Sequence, residues 1–430
     1  LWTGRAQKKA EYELAHPGNR YGVGFACVQK DFGTGAEASF AKVEIAADGK
    51  ITLHHTAAEI GTGVSTSQAI ACAKWLGKPA AEVRMAIVDW PELPVVSSGD
   101  PYMMSQGEQD KLSANPRWSP SLISPSSATN SAFYFTHSTQ EAARVVFTHG
   151  LWPAAMALWT SGIGGGQAAP LVVRREDARW AEGKLTAAGL EPLTLEQLAK
   201  KAHDLGLVTG AVVHVFNRWQ WSEAEFDIDG VTERLPIDGL SLLHGGGKTD
   251  ANKTNAAPVQ PVYRALNRKR VFIAPVSRNN AAVTYYSAVG TLVELAVNEA
   301  SGQVSLLSHH SIMECGNMLS PQLVSGQLQG GLAMGIGHAL HEYLPLYEEG
   351  PGNGTWNFNR YHVPRASDVA VWAQTGEVLP PLSETDPPKG IAEVVMIPVV
   401  GAIVNGIAHA IGHRFNDLPV KPQNIQEALA

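Results

Sequence analysis

Cysteine is scarce in this sequence, whose 430 residues include three cysteines. Cys27, Cys72 and Cys315 are widely spaced, and none belongs to a C-x-x-C pair. This spacing excludes a disulfide framework and an iron-sulfur cluster held by this chain alone, since both need several cysteines at short, defined intervals. We therefore expect any electron-transfer centre that serves this protein to lie on another chain.

Long apolar stretches are also missing. No run approaches the about 20 apolar residues that cross a bilayer, and the first residues, 1–5, do not form a signal peptide. We therefore expect a soluble chain, with the compartment left open between cytoplasm and periplasm and with membrane association only through a partner. Because the sequence opens on Leu1 rather than on methionine, we expect a processed, split or truncated product.

Clusters of basic residues are also missing from this sequence. The chain has 33 Lys and Arg residues against 40 Asp and Glu residues, a net charge of -7, and the basic residues do not form a long run. Nucleic acid is therefore not expected as a partner, because phosphate binding needs grouped Lys and Arg. A small neutral or anion-tolerant substrate fits this charge better.

The composition that remains is that of a globular protein. With 44% hydrophobic and 17% charged residues, the chain can bury a large core and build more than one domain. Residues 5–14 are rich in Lys and Glu, and we expect a charged helix or linker there rather than a core element. Residues 193–205 have an amphipathic pattern with Thr194 placed as N-cap, which predicts a structural helix.

Two copies of one local pattern stand far apart in the sequence. In the first, strand-like residues 41–53 flank an Asp48-Gly49 turn and predict a β-hairpin, followed by a loop at 58–63 and a helix over 65–77. In the second, a hairpin at 292–307 is followed by a loop at 314–321 and a Gly-rich helix over 322–341. These copies predict two similar α+β lobes whose loops offer backbone N–H groups to a ligand. Chance similarity of ordinary hairpins is the alternative.

Between these copies lies a polar stretch, residues 97–131, rich in Ser, Pro, Asn and Asp. It is too long for a plain connection, so it is either functional or disordered. Its last part, 124–131, places hydroxyl-bearing residues directly before a predicted helix through 141–144, a combination that can cradle an anion. The alternative is a surface loop followed by a capped helix.

Arg278 and the histidines have less specific patterns. Arg278, in the polar run 277–280 before an aromatic strand, can hold a carboxylate or cap a turn. His409 and His413 stand at helical spacing, but a zinc site needs further ligands and no third ligand motif accompanies them. We expect structural or surface histidines and no metal ligated by protein side chains.

Five motifs follow one another along the chain. They are Glu59-Ile60-Gly61-Thr62-Gly63-x-x-Thr66, the Ser/Thr loop 124–131, Gly316-Asn317-x-x-Ser320-Pro321-x-x-x-x-Gly326-Gln327-x-x-Gly330-Gly331, Pro364-Arg365-x-x-Asp368 and Lys389-Gly390-Ile391-Ala392-Glu393. Their order resembles that in the C-terminal half of the molybdopterin-binding subunit of the xanthine dehydrogenase and aldehyde oxidase family. The resemblance covers residues 21–430, with 152–275 matching poorly. It implies an α+β fold of two similar hairpin-loop-helix lobes, which we place at residues 21–240 and 241–430 after a linker of residues 1–20.

The resemblance implies a bound molybdopterin with molybdenum, in the cytosine dinucleotide form. Glycine lets the backbone approach such a cofactor closely, and hydroxyls and amides donate hydrogen bonds to it without an unpaired charge. Transferred position by position, the cofactor contacts fall on Ile60, Gly61, Thr62, Gly63, Thr66, Ser126, Ser127, Ala128, Thr129, Asn130, Ser131, Gln327, Gly390 and Ala392.

The sequence departs from the family pattern in two motifs. Thr62 stands where the first loop usually has Gln, which shortens or removes one side-chain hydrogen bond to the cofactor. In the last motif Ala392 replaces the usual Gly and Val394 stands where Pro or Gly is common, so a Cβ narrows the backbone near the metal. These departures leave a second hypothesis open: a non-catalytic scaffold subunit that kept the fold and lost the cofactor.

Glu393 matches the catalytic base of the family. The resemblance implies hydroxylation of a carbon with water-derived oxygen, in which a carboxylate takes the proton of the oxygen on molybdenum. Because Glu393 precedes the apolar run 394–400, we expect its carboxylate at the edge of a low-dielectric core, with a raised pKa. The alternative is an acid ahead of a helix over 399–411, where it complements the helix dipole.

The resemblance also implies partner chains. The preceding half of the molybdopterin subunit, or an equivalent chain, must complete the site. A 2Fe-2S subunit takes the electrons, with FAD or haem beyond it on a flavin or cytochrome subunit. We favour an aldehyde as the small-molecule substrate, oxidised to a carboxylic acid, because apart from Arg278 nothing in the sequence suggests a charge that orients a purine. An N-heterocycle of the purine or isoquinoline type is the alternative.

Overall fold

The computed structural model describes residues 1–33, 36–161, 173–217, 222–246, 262–273, 285–344, 357–368 and 374–430. The helices are α1 (Arg5–Ala15), α2 (Val64–Leu76), α3 (Gln106–Leu112), α4 (Thr136–Val146), α5 (Trp152–Ser161), α6 (Leu195–Asp204), α7 (Pro321–Ile336), α8 (Met396–Ile411) and α9 (Pro422–Leu429). The strands are β1 (Asn19–Gly33), β2 (Ala38–Ile45), β3 (Ile51–His55), β4 (Glu82–Arg84), β5 (Arg179–Ala181), β6 (Lys184–Thr186), β7 (Leu193–Thr194), β8 (Val208–Phe216), β9 (Ser222–Ile228), β10 (Val231–Leu235), β11 (Gly239–His244), β12 (Arg264–Leu266), β13 (Arg270–Ile273), β14 (Tyr285–Asn298), β15 (Val304–Glu314) and β16 (Gln374–Val378). The fold class is α+β, as predicted.

The chain divides into two compact units. The terminal unit consists of Leu1–Phe32 and Tyr286–Ala430, and the central unit consists of Gly33–Tyr285. These units have other bounds than the lobes drawn on the sequence, which were residues 21–240 and 241–430 after a linker of residues 1–20. The reason is that β1 lies beside β14 in one sheet, so the first residues fold with the C-terminal part of the chain.

The terminal unit is built on a four-stranded sheet of order β1-β14-β15-β16, in which β14 and β15 form an antiparallel hairpin. Helices α7 and α8 pack closely together through glycine. A Cβ at Gly335 would lie 2.4 Å from Val399 Cγ1, and one at Gly331 would lie 2.8 Å from Val395 Cβ. Because a close-packed interior has no room for such atoms, glycine at these two positions sets the spacing of the helices.

The central unit contains a six-stranded sheet of order β12-β11-β8-β2-β3-β4. Strand β8 is buried along its whole length, and α4 packs against it and β2. Two small sheets, β10-β9-β13 and β5-β6-β7, complete this unit. The large sheet therefore places β3, which leads into the first candidate loop, two strands away from the buried centre at β8.

The local predictions are largely confirmed. Both hairpins form, and each is followed by a loop and a helix, α2 and α7. The charged start is helix α1, none of whose residues is buried. Helix α6 begins as expected, with the Thr194 hydroxyl accepting a hydrogen bond from the Gln197 N–H at 3.3 Å.

Three features differ from the prediction. Helix α8 begins at Met396 rather than at residue 399. The polar stretch contains the short helix α3, whose N-cap Ser105 and Glu108 form a reciprocal capping box. Helix α7 ends at Ile336 and continues as a π-helical turn, Gly337–His341. Arg278 lies outside the described residues. Within those residues, no helix combines the length and the apolar character required to span a membrane.

Candidate functional site

The first candidate loop connects β3 to α2 in the central unit, and the carboxylate of Glu59 closes it. Glu59 Oε1 accepts hydrogen bonds from the backbone N–H groups of Gly61 and Gly63, both at 3.0 Å. Its Oε2 accepts from the N–H and the hydroxyl of Ser65, at 3.0 and 3.1 Å. The expectation that this loop offers free N–H groups to a ligand is therefore wrong for the two glycines, because Glu59 already occupies them.

Glu59 is held as an anion by this loop. Burial raises the pKa of its carboxyl, but the hydrogen bonds from Ser65, Gly61 and Gly63 outweigh burial and hold the pKa below its usual range. A negative charge before the first turn of α2 also interacts favourably with the helix dipole. The loop thus carries its own counter-charge, which sequence reasoning missed although Glu59 belongs to the quoted motif.

Thr62 is the loop residue with an unused polar atom. Its Oγ1 is buried and has no hydrogen-bond partner within the described part of the chain. A buried hydroxyl without a partner costs about 1–3 kcal/mol, so a ligand that satisfies it gains that amount. Ile60 and Thr66, the other predicted contacts here, are exposed.

The second candidate loop, Ser126 to Ser131, lies against the first. The backbone N–H of Ala58 donates to Ser126 Oγ at 2.8 Å, which joins the two loops directly. Asn130 braces the second loop from inside: its Oδ1 accepts from the Ser127 N–H at 3.1 Å, and its Nδ2 donates to the carboxylate of Glu37 at 3.0 Å. The structure therefore brings together the two sets of residues that the sequence placed about seventy positions apart.

The second loop contains a buried hydroxyl without a hydrogen-bond partner among the described residues, at Ser131, and two residues with a strained backbone. Ser131 is 1% exposed, and its Oγ has no hydrogen-bond partner among the residues described. Ala128 and Thr129 have φ of +50° and +57°, the left-handed region that disfavours residues with a Cβ. Each such residue costs about 1–2 kcal/mol, and strain of this kind concentrates at ligand sites.

Gln68, on α2, fixes the second loop to the first. It is fully buried, and its Nε2 donates to the Ser131 carbonyl at 3.1 Å and to Thr136 Oγ1 at 3.0 Å. Its Oε1 accepts from Thr139 Oγ1 at 2.7 Å. The amide thus has partners for both ends, and it ties the helix that follows the first loop to the carbonyl that ends the second.

His55, at the end of β3, makes a second link. Its Nδ1 accepts from the Ala57 N–H at 2.9 Å, so the neutral ring carries its proton on Nε2, which donates to the Phe135 carbonyl at 3.2 Å. Complete burial lowers the pKa of His55 to about 4, against the smaller raising effect of the Phe135 carbonyl. Neither His55 nor Gln68 was identified from the sequence, because their partners lie about sixty to eighty residues away.

In the terminal unit, the loop after β15 holds the segment that leads to Glu393. The Asn317 side-chain Nδ2 donates to the backbone carbonyl of Asp386 at 2.6 Å and to that of Glu384 at 3.1 Å. The Lys389 N–H donates to the Cys315 carbonyl at 2.9 Å. Gly316 has φ of +62°, and a Cβ there would lie 2.2 Å from the Pro387 carbonyl oxygen. Two motifs of the resemblance are therefore in direct contact.

Glu393 is exposed, although both of its neighbours, Ala392 and Val394, are buried. The expectation of a carboxylate at the edge of the core is therefore wrong for the side chain, which faces solvent in this structure, and correct for the backbone on either side. Glu393 has φ of +61°, and its carbonyl accepts a hydrogen bond from the N–H of Met396, the first residue of α8. The strained backbone turns the carboxylate away from the apolar residues that anchor it.

The remaining predicted contacts are on the same unit as Glu393. Gln327 is half-buried on α7, Gly390 is buried, and Ala392 is 4% exposed. Among the described residues, six other than glycine have positive φ, and three of them are predicted site residues: Ala128, Thr129 and Glu393. A sequence motif does not specify a backbone angle, so the positive φ of these three residues could not be predicted from the sequence.

The comparisons with known proteins agree on one protein family. A family model for the molybdopterin cofactor-binding domain matches residues 1–98 and 248–370, just over half of the chain. The xanthine dehydrogenase molybdenum-binding subunit of Escherichia coli O157:H7 is 31% identical over 138 residues, 32% of this chain and 18% of that protein. The aldehyde oxidoreductase molybdenum-binding subunit PaoC of Escherichia coli (strain K12) is 29% identical over 146 residues, 33% of this chain and 19% of that protein.

The fold has solved counterparts. Quinoline 2-oxidoreductase from Pseudomonas putida 86 superposes with a TM-score of 0.59 at 18% identity, covering 99% of this chain and 43% of that one. The alignments thus span about a fifth of the length of the curated relatives and under half of the solved structure. The chain belongs to the molybdopterin cofactor-binding domain family, within the xanthine dehydrogenase and aldehyde oxidase type of molybdenum hydroxylase large subunits.

Proposed function

We propose that this chain is the cofactor-binding part of a molybdenum hydroxylase that oxidises an aldehyde to a carboxylic acid with oxygen derived from water. The observation that carries the proposal is the left-handed backbone at Ala128, Thr129 and Glu393, three residues that the sequence motifs also mark as site residues. A fold keeps such strain where the surrounding structure fixes it, and ligand sites are where it recurs. A scaffold subunit that had lost its cofactor would have no need of a strained backbone at these residues.

The residues of the central unit fit a phosphate- and pterin-bearing cofactor. In the two candidate loops, the buried hydroxyls of Thr62 and Ser131 have no partner among the described residues. Such a cofactor presents many hydrogen-bonding atoms and would satisfy both. We propose the cytosine dinucleotide form, with contacts from Ile60 to Thr66, from Ser126 to Ser131, and from Gln327, Gly390 and Ala392. When bound, the cofactor would supply the two-electron redox centre that the protein side chains lack.

Glu393 is proposed as the base that holds the proton released during hydroxylation. Its exposed carboxylate is free to approach a substrate, while its buried neighbours and the Asn317-braced segment before it fix the backbone. A carboxylate can take a proton only if it stands within hydrogen-bond reach of the donor, so the rigid backbone serves positioning. Glu393 remains within reach of solvent, which lets the proton leave after turnover.

The test of this role is the substitution Glu393→Gln, which keeps the shape of the side chain and removes its basicity. General-base catalysis contributes about 10²–10⁴-fold, so we expect turnover to fall by at least 100-fold with molybdenum content unchanged. Glu427→Gln, which changes an exposed glutamate of α9 in the same unit, is the matched control and should keep full activity. Retained turnover in Glu393→Gln refutes the assignment.

Metal analysis of the purified complex tests the proposal as a whole. About one molybdenum per chain supports the hydroxylase, and none supports the scaffold hypothesis. Iron and flavin or haem analysis of the same complex tests the proposed 2Fe-2S partner and the chain beyond it. We also propose that the preceding half of the molybdopterin subunit, or an equivalent chain, completes the site.

The proposal of an aldehyde substrate rests on similarity to known proteins and not on a contact in this structure. The resemblance to an aldehyde oxidoreductase subunit favours an aldehyde, whereas the resemblance to a xanthine dehydrogenase subunit and to quinoline 2-oxidoreductase favours an N-heterocycle. Steady-state assays with a panel of aldehydes, purines and quinolines decide between them. Turnover of heterocycles alone would replace the aldehyde proposal without affecting that for Glu393.

A further inference from the structure

A pocket lies in the terminal unit, outside the residues assigned to the cofactor. Its cavity of about 390 Å³ falls at the lower end of the range of small-ligand pockets, about 300–1,000 Å³. It is formed where α1, β1 and the C-terminal end of α8 meet. The lining residues are Trp2, Arg5, Val23, Phe25, Asn405, Ala408, His409, Gly412 and Arg414.

Two guanidinium groups face this cavity without a carboxylate partner. Neither Arg5 nor Arg414 has an ion pair with any residue that the structure describes. Arg5 donates to the Trp2 carbonyl at 2.7 Å and stacks over the Trp2 ring, with Cζ 4.2 Å from the ring centroid. Arg414 donates to Asn405 Oδ1 at 2.9 Å. Neutral partners thus orient both cations and leave their charge uncompensated.

The end of helix α8 does not use these cations as caps. Two of its terminal carbonyls have other partners: the Ala408 carbonyl accepts from the Gly412 N–H at 2.9 Å, and the Ala410 carbonyl accepts from Lys9 Nζ at 2.8 Å. Lys9 in turn is paired with the carboxylate of Glu13. The guanidinium groups of Arg5 and Arg414 therefore remain available to bind an anion.

His409 is a neutral donor in the lining of the pocket. Its Nδ1 accepts from the Val23 N–H at 3.0 Å, so the neutral ring carries its proton on Nε2. Burial lowers the pKa of His409, and the positive charges of Lys9 and Arg5 lower it further against a smaller opposing effect of Glu13. The neutral ring thus adds an N–H donor to the pocket beside the two arginines.

Two half-exposed aromatic rings form the apolar side of the pocket. Trp2 and Phe25 are 47% and 44% exposed, and their ring centroids are 6.2 Å apart in an edge-to-face arrangement. Guanidinium groups bind carboxylate and phosphate in planar, bidentate geometry, and aromatic rings favour a flat apolar neighbour. We propose that this pocket binds an anion, a carboxylate or phosphate, carried on a small aromatic body.

Calorimetric titration of the full chain tests this proposal, with benzoate, phenyl phosphate and the neutral benzamide as probes. We expect the two anions to bind at least tenfold more tightly than benzamide. Arg414→Gln, on an exposed segment, should weaken benzoate binding at least tenfold, and Arg5→Gln should do the same. Arg20→Gln is the matched control, since Arg20 is paired with Glu299 on the same unit and does not line the pocket.

The same titration on the assembled complex tests whether the pocket is open there. Binding of benzoate to both the isolated chain and the complex supports a site for a free small anion. Binding to the isolated chain alone means that a partner chain covers the pocket in the complex, and it overturns the proposal. Equal affinity for benzoate and benzamide, or unchanged benzoate affinity in Arg414→Gln with its circular dichroism unchanged, overturns it.

Discussion

Acidification should destabilise the protein through His55. The ring is neutral and fully buried, and its two nitrogens are fixed by Ala57 and Phe135, so the folded state resists a second proton. Its pKa is about 4 in the folded state and about 6.5 when the chain is unfolded. Between these values the unfolded state binds one proton more than the folded state. Stability therefore falls as the pH falls from about 6.5 to about 4 and loses no more from this group below that.

The magnitude follows from the size of the pKa difference. One pKa unit corresponds to about 1.4 kcal/mol, so the difference at His55 corresponds to about 3 kcal/mol of unfolding free energy. That is a large part of the about 5–15 kcal/mol by which domains are stable. The loss should appear in the central unit, to which His55 belongs.

Urea unfolding at a series of pH values, followed by circular dichroism, measures this effect. The variant His55→Gln keeps one acceptor and one donor but does not titrate, so its unfolding free energy should fall by about 3 kcal/mol less than that of the wild type between pH 6.5 and 4. His413→Gln, which removes an exposed imidazole, is the control. Parallel pH profiles for wild type and His55→Gln would refute the assignment of a neutral, buried ring.

Two further substitutions test the packing and the loop links. Gly335→Ala places a Cβ against Val399 in the contact between α7 and α8, and overpacking of this kind should cost about 1–3 kcal/mol in urea unfolding; an unchanged midpoint would contradict the tight helix contact. Gln68→Leu removes one hydrogen bond from the Ser131 carbonyl and one from the Thr139 hydroxyl, although each keeps a second partner. The loss should cost about 0.5–1.5 kcal/mol per hydrogen bond and reduce molybdenum content. Normal stability and loading would show that the amide does not position the second loop.

Local sequence was sufficient to predict the hairpins and most helices. The Asp48-Gly49 turn, the alternation on either side of it and the N-cap at Thr194 act over a few residues, and they specify β2, β3 and α6 without help from the rest of the chain. The early start of α8 and the short α3 were missed because apolar and polar runs give no clear helical boundary. The first is an error in a helix boundary, and the second is a helix that the sequence analysis did not predict.

The long-range organisation could not be predicted in the same way. Strand β8 pairs with β2 although about 170 residues separate them, and β1 joins a sheet whose other strands lie beyond residue 284. The motifs identified the candidate loops, but the partners that hold them, His55, Gln68 and Asn317, act across tens of residues. The exposure of Glu393 depends on a backbone angle that a sequence does not reveal.

The Glu59 carboxylate has a consequence for how a ligand would enter the central unit. Because it satisfies the N–H groups of Gly61, Gly63 and Ser65 from within the chain, the closed shape of the loop is held by the chain's own hydrogen bonds. The conformational entropy of ordering this segment is then lost during folding and not at binding, which raises affinity without any added contact. A ligand would therefore bind to a loop whose shape is set during folding.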